Sequence, residues 1–293
     1  MERTEIAFKE EIRNLIIRFV NESVENSLNS DEHETAWDKP LVGFSKGNDP
    51  LYEFFRKDIG EFYWHPSDIF SARFPDIPVR AEQLTVVSWV LPQTEPTKRD
   101  QRKERWHPSE RWARSKLFGE EFNNKVRAFV ANTLSDAGFP CLAPVLLPAW
   151  KRGTSEKYGY ASTWSERHTA FICGLGTFGL SDGLITRLGK AVRFGSAIVR
   201  ADIQPTARPY NSHQEYCLYY NKGKCGKCIE RCPAGAISGK GHDKVICKEY
   251  VRSVATAYAE KKYGIRVNSC GLCQTGVPCE SRIPGDLSIS RER

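Results

Sequence analysis

No run of apolar residues in this 293-residue chain is long enough to cross a bilayer, so no membrane-spanning helix is expected. A secretory leader is also lacking: Met1-Glu2-Arg3-Thr4-Glu5 leads into an amphipathic pattern rather than an apolar run, and no twin-arginine signal appears. Internal repeats and low-complexity stretches are absent, so neither a solenoid nor a disordered linker protein is expected. Without an export signal the expected location is the reducing cytoplasm, where a framework of disulfides does not persist.

What is present describes a globular protein, with 40% hydrophobic residues and a mean hydropathy of −0.50. The net charge of +7 permits an anionic partner without arguing for one. Part of it lies in Lys98, Arg99, Arg102, Lys103 and Arg105, interrupted by Asp100 and Glu104, a mixed run typical of a solvated helix or loop.

The cysteines carry more information. Eight of the ten lie at or beyond Cys217, as Cys217-x7-Cys225-x2-Cys228-x3-Cys232-Pro233, then Cys247, then Cys270-x2-Cys273-x5-Cys279. Thiolates are soft anionic donors, and four complete the terminal ligation of a four-iron cube. The Cys-x2-Cys-x3-Cys-Pro core is three quarters of the bacterial ferredoxin run, in which the last cysteine ligates the other cluster. That rule assigns Cys217, Cys225, Cys228 and Cys279 to one [4Fe-4S] cluster and Cys232, Cys247, Cys270 and Cys273 to a second. Cys217 replaces a ligand that ordinarily falls three residues before Cys225, where this chain has Lys222. Structural zinc also uses paired Cys-x2-Cys units, but it gives no reason for Cys-x3-Cys-Pro. Cys141 and Cys173 read as small buried apolar residues.

Subtracting the cysteine-rich segment leaves about 210 residues, enough for a domain with its own core. Ile12, Leu15, Ile16, Phe19 and Val20 recur at helical spacing, and the polar segment from Asn29 is expected to end that helix. Leu84–Leu91 reads as a buried strand closed by Pro92. Glu110–Ala137 reads as a long helix with Leu117, Phe118, Phe122, Val126, Phe129 and Val130 inward, stopped by Gly138 and Pro140. Leu142–Leu147 and Gly195–Arg200 are expected strands, which makes the class α/β or α+β. The glycines at Gly174, Gly176 and Gly179 have dinucleotide-fingerprint spacing, but they follow a helical stretch, Trp164–Phe171, instead of a strand. They are expected to form a loop able to lie against a large flat ligand.

The stretch from Arg167 to Leu180, with Gly183-Leu-Ile-Thr-Arg and Val192-Arg-Phe-Gly-Ser-Ala, resembles the corrinoid-binding core of epoxyqueuosine reductases and reductive dehalogenases. Val42-Gly-Phe-Ser-Lys and Arg111-Trp-Ala-Arg-Ser-Lys-Leu-Phe-Gly-Glu-Glu-Phe-Asn are similar to dehalogenase-like members, and the likeness runs from about residue 40 to about 285. It implies an α+β class with an N-terminal helical region at 1–60, a nitroreductase-like corrinoid-binding core at 61–212, and a two-cluster ferredoxin-like domain at 213–293. It also implies cobalamin held by Gly174, Leu175, Gly176, Thr177, Phe178, Gly179, Leu184, Ile185, Thr186, Arg193 and Ser196, with Arg187 a further candidate.

The implied function is a cobalamin-dependent iron–sulfur reductase. Electrons from a reduced ferredoxin or flavodoxin-type donor pass through the clusters to the corrinoid, which reduces a small or nucleoside-like substrate. Epoxyqueuosine reductases place an acidic proton donor where this chain has Tyr160; dehalogenases use a tyrosine, so Tyr160 is the catalytic candidate, with Trp150, Tyr158 and Trp164 as possible pocket walls. No helical-repeat extension follows Cys279, which weighs against a tRNA substrate. The alternative is an electron-transfer protein that reduces a partner, such as a corrinoid protein, without a small-molecule substrate of its own.

Overall fold

The structure, a computed structural model, describes residues 5–285; Met1–Thr4, read above for a leader, lie outside the described residues. In chain order the principal helices are α1 (Glu5–Glu22), α2 (Pro50–Ile59), α3 (Pro66–Arg73), α4 (Glu95–Lys103), α5 (Glu110–Asp136) and α6 (Glu166–Ile172). The strands preceding the cysteine-rich region are β1 (Leu41–Lys46), β2 (Leu84–Pro92), β3 (Cys141–Leu142), β4 (Arg152–Ser155), β5 (Gly159–Ser162), β6 (Gly176–Phe178), β7 (Leu184–Thr186) and β8 (Val192–Arg200). No helix among the described residues is long and apolar enough to cross a membrane.

The chain forms two compact units built from interleaved segments. One comprises the chain up to Leu91, Phe118–Leu175 and Arg193–Pro209; the other comprises Pro92–Leu117, Gly176–Val192 and the chain from Tyr210 onward.

The first unit is organised by a four-stranded sheet in the order β1-β2-β8-β3. β1 and β2 are antiparallel with Leu41 opposite Val90 and Lys46 opposite Thr85. Every residue of β2 is buried, as expected of a central strand with both faces covered. Phe8, Ile12, Ile16 and Val20 of α1 join Phe44, Val87, Trp89, Phe122, Val126 and Val130 in one core. Gly195 admits the Trp89 ring: a Cβ there would stand 2.4 Å from it.

Three local expectations shift. α1 ends at Glu22 rather than near Asn29; Asn26 bonds to the backbone of Val20 and Trp37 and turns the chain back earlier. The strand expected over 142–147 is two residues long and gives way to a 3-10 turn at Pro144–Leu146, since a proline cannot donate to a ladder. The deep face of α5 runs through Trp112, Ala113, Phe122, Val126, Val130 and Leu134, leaving Leu117, Phe118 and Phe129 only half-buried.

In the second unit β6 and β7 form an antiparallel hairpin, Gly176 opposite Thr186. The expected glycine loop is therefore partly a strand. A Cβ on Gly176 would lie 2.2 Å from the Ile185 carbonyl oxygen, so this glycine serves the hairpin's own close approach. Beyond it come short helices at Leu218–Lys222, Lys227–Glu230 and Lys244–Tyr250, a π turn at Val251–Ala255, and a helix at Thr256–Tyr263.

Candidate redox site

The loops bearing the cysteines have little regular structure, and side chains from elsewhere in the same unit hold them. Arg231 donates to the carbonyls of Leu272 and Thr275 at 3.2 and 3.1 Å and to those of Glu104 and Gln101 at 2.7 and 3.1 Å. Gln101 reaches the Cys270 carbonyl at 2.9 Å. Arg102 grips both carboxylate oxygens of Glu280, next to Cys279; the same carboxylate accepts from the Gly276 amide at 2.7 Å. One member of the basic run, Arg102, is thus structural, because charge-assisted bonds with fixed geometry order a loop that the backbone alone does not.

Cys217, Cys225, Cys228 and Cys279 line one cavity, with Lys190 in its wall and Ile185 of β7 beside it. Cys217 stands at the N-cap of Leu218–Lys222 and is buried. Burial pushes the Cys228 thiol up to about 11; Lys190 opposes this, while charge on Cys273, Cys279 and Cys217 adds to it. Cys279 is raised by burial and by Cys217 and Cys225. The remaining cysteines form a neighbouring group: burial pushes Cys270 up to about 12, with Cys273, Cys247 and Cys232 adding to it, and Cys273 is raised by burial and by Cys232. As free thiols these groups stay protonated at neutral pH; metal binding displaces the proton.

Among the described residues no three His, Cys, Asp or Glu side chains meet as a single-ion site requires. A four-iron cube asks for something different, four sulfurs standing around a body of metal and sulfide. The donor set suits it, and so does Lys190. This lysine is 3% exposed, its Nζ donates to Ser181 Oγ at 3.0 Å, and no carboxylate pairs with it among the described residues. Burial pushes its pKa down, but charge on Cys279, Cys273, Cys228 and Cys217 outweighs that and leaves it raised. A buried ammonium without a counter-ion is costly; an anionic thiolate-bound cluster would supply one.

The first unit holds a second polar centre. Glu166 opens α6 and accepts from Ser196 Oγ at 2.6 Å and from Arg127 Nε at 3.2 Å. Ser196 in turn accepts from Trp164 Nε1 at 2.9 Å, and Arg127 also donates to Glu120 at 3.0 Å and to the Phe194 carbonyl at 2.9 Å. Burial raises Glu166 to about 7, against the downward pull of Arg127 and Ser196. A carboxyl group so placed exchanges a proton near neutrality.

Of the residues read as corrinoid contacts, Gly174, Leu175, Arg193 and Ser196 fall in the first unit, and Gly176, Thr177, Phe178, Gly179, Leu184, Ile185 and Thr186 in the second. Several side chains are occupied locally: Thr177 accepts from the Tyr216 amide at 2.9 Å, Thr186 donates to the Gly189 carbonyl at 2.8 Å, and Ser196 bonds Glu166. Arg193 Nε is enclosed without a hydrogen-bond acceptor among the described residues, with the Glu120 carboxylate 3.8 Å away. Arg187 is exposed. Tyr160 lies on the hairpin β4–β5 opposite Thr154 and is 41% exposed. Tyr158 donates to Asp58 at 2.6 Å, Trp150 donates to the Trp164 carbonyl at 3.2 Å, and Trp164 is buried in a stack with Tyr52 and Tyr63. Glu166 and Lys190 did not stand out in the sequence, since neither belongs to a recognisable spacing.

No protein-family model matches the chain, and no curated protein does. Solved structures do. A selenomethionine-labelled epoxyqueuosine reductase superposes with a TM-score of 0.50 at 17% identity, covering 98% of this chain and 69% of that one. The chain has the epoxyqueuosine reductase fold. A second epoxyqueuosine reductase, solved with a tRNA-Tyr stem loop, has a TM-score of 0.49 at 17% identity over 94% of this chain and 66% of its own. A catabolic reductive dehalogenase has a TM-score of 0.46 at 15% identity over 96% of this chain and 37% of its own. The chain thus spans about two thirds of the reductase chains and well under half of the dehalogenase.

Proposed function

We propose that the protein is an oxidoreductase, a cobalamin-dependent iron–sulfur reductase that uses two [4Fe-4S] clusters to deliver single electrons to a corrinoid acting on a small or nucleoside-like substrate. The observation that carries this reading is the cysteine-lined cavity with a buried ammonium in its wall. The likeness of fold supports it. In this reading Cys217, Cys225, Cys228 and Cys279 hold one cluster, and Cys232, Cys247, Cys270 and Cys273 hold the other.

For the corrinoid, the first unit offers the backbone of Gly174 and Leu175 and the Arg193 guanidinium. Its enclosed Nε–H meets no acceptor among the described residues, and an unmet buried donor costs about 1–3 kcal/mol. A corrinoid amide or phosphate relieves that cost. When bound, the corrinoid supplies the low-potential reduction of the substrate. Glu166 holds the proton that such a reduction consumes, kept on the carboxyl by burial; Tyr160 is the other group able to donate one. A reduced ferredoxin or flavodoxin-type carrier is the electron source, and a nucleoside within tRNA belongs to the substrate class.

The test is anaerobic reconstitution followed by an absorption spectrum and metal counts. The reading expects about eight iron atoms and about one cobalt per chain. Iron without cobalt uptake points to an electron carrier that serves another protein and defeats the reductase assignment.

A further inference from the structure

Lys190 has an environment that ordinary packing does not explain. Lysine is almost never fully buried unless paired, yet this one is 3% exposed and only the neutral Ser181 hydroxyl accepts from its ammonium among the described residues. The backbone holds it in place from both sides. Gly189, at φ +77°, packs so tightly on the Glu280 carbonyl that a Cβ would approach within 2.1 Å. The Lys190 amide then donates to the carbonyls of Cys279 and Glu280 at 2.9 and 3.1 Å. The side chain lines the cavity of Cys217, Cys225, Cys228 and Cys279, and Ser181 and Cys273 lie within the same neighbourhood. Its charge thus bears on cysteines of both groups.

We infer that Lys190 is a positioning charge that sets the reduction potential of the cluster in this cavity, holding it higher than a neutral side chain would. The inference rests on the proposed cluster ligation. Net charge and polar contacts around the sulfurs are the protein's levers on iron–sulfur potentials. Each reduction adds one electron, drawn from a low-potential one-electron carrier, and no proton. The added negative charge is favoured by a fixed cation in a region of low dielectric, while Lys190 itself stays unchanged. At separations of several ångströms such a charge is worth roughly tenfold or more in the equilibrium constant for reduction. For a one-electron couple, tenfold corresponds to about 59 mV.

The experiment compares reconstituted wild type with Lys190→Met, Lys190→Gln and Lys190→Arg by iron and sulfide content and by potentiometric titration of the reduced-cluster paramagnetic signal. The expected result is full iron in all four, a potential lowered by about 59 mV or more in the Met and Gln variants, and a near wild-type potential in the Arg variant. Loss of iron from the two neutral variants but not from Lys190→Arg also supports the inference, because charge is then needed to hold the cluster. Full iron with unchanged potentials overturns it. Loss of iron from all three variants also overturns it, since the shape of the side chain then matters and its charge does not. A wild type that takes up no iron defeats the cluster ligation instead, so the two failures are distinct.

Discussion

Glu166→Gln is the substitution whose effect follows most directly from the structure. Burial raises this carboxyl from its ordinary 4.5 to about 7, and its side chain is 15% exposed. Between those values the native state holds a proton that the unfolded chain has released. Stability therefore falls as pH rises through this window and levels off above it. At 1.36 kcal/mol per pH unit the full loss is about 3 kcal/mol, of which roughly 2 kcal/mol falls between about pH 5.5 and about pH 8. Gln cannot ionise. It keeps an oxygen for the Ser196 hydroxyl but turns an amide toward Arg127, a penalty nearly constant with pH. The slope is the diagnostic quantity. Urea midpoints of the two reconstituted proteins across this range should diverge, with the variant gaining on wild type by about 2 kcal/mol toward high pH. Parallel profiles would refute the assignment of a protonated Glu166, and with it the proton-holding role.

Replacing Cys225 or Cys273 with Ser should each remove one ligand and lower bound iron toward half, measured by iron count after anaerobic reconstitution; unchanged iron in both would break the ligand assignment. Tyr160→Phe should leave iron, corrinoid content and turnover unchanged if Glu166 holds the proton, and a slowed proton-coupled reduction would return that role to Tyr160. Gly271→Ala should cost about 2–4 kcal/mol and release iron, because a Cβ at φ +71° would stand 2.0 Å from the Trp112 ring beside Cys270. Gly264→Ala, at φ +69° with open space around it, serves as a control that should cost only about 1 kcal/mol in a thermal melt.

Much of the architecture is legible because its signals are local. β2 is readable from an unbroken apolar run bounded by Pro92, and α5 from its periodicity and its stop at Gly138. The cysteine spacing is legible because residues on short loops recur at short intervals, and four of those cysteines do line one cavity. What escapes is set by contacts between distant segments. A mixed charge run looks solvated until Arg102 is seen gripping Glu280, 178 positions away. The Gly174–Gly179 stretch has a fingerprint's spacing, yet Gly176 serves its own hairpin, because only the partner strand reveals the Ile185 carbonyl in the way. Glu166 and Lys190 carry no pattern at all, since their chemistry comes from burial and burial is a property of the folded chain.

Those two residues are opposite solutions to one physical problem. Water stabilises charge, and removing it drives an acid or a base toward its neutral form. Glu166 follows that tendency: even with Arg127 beside it, its carboxyl sits near neutrality and exchanges a proton. Lys190 resists it in the proposed cluster-bound state, where the thiolate sulfurs around it would carry the compensating charge and keep the ammonium ionised. A reduction consumes electrons and protons, and the two are best held in different surroundings. An electron resting on a cluster needs a fixed cation that does not titrate away, whereas a proton must leave its holder at neutral pH. In the proposed reductase the buried lysine would meet the first demand in one unit and the buried carboxyl the second in the other. Exchanging the two side chains would strand a carboxylate among thiolates and a cation beside Arg127, costing several kcal/mol at each position.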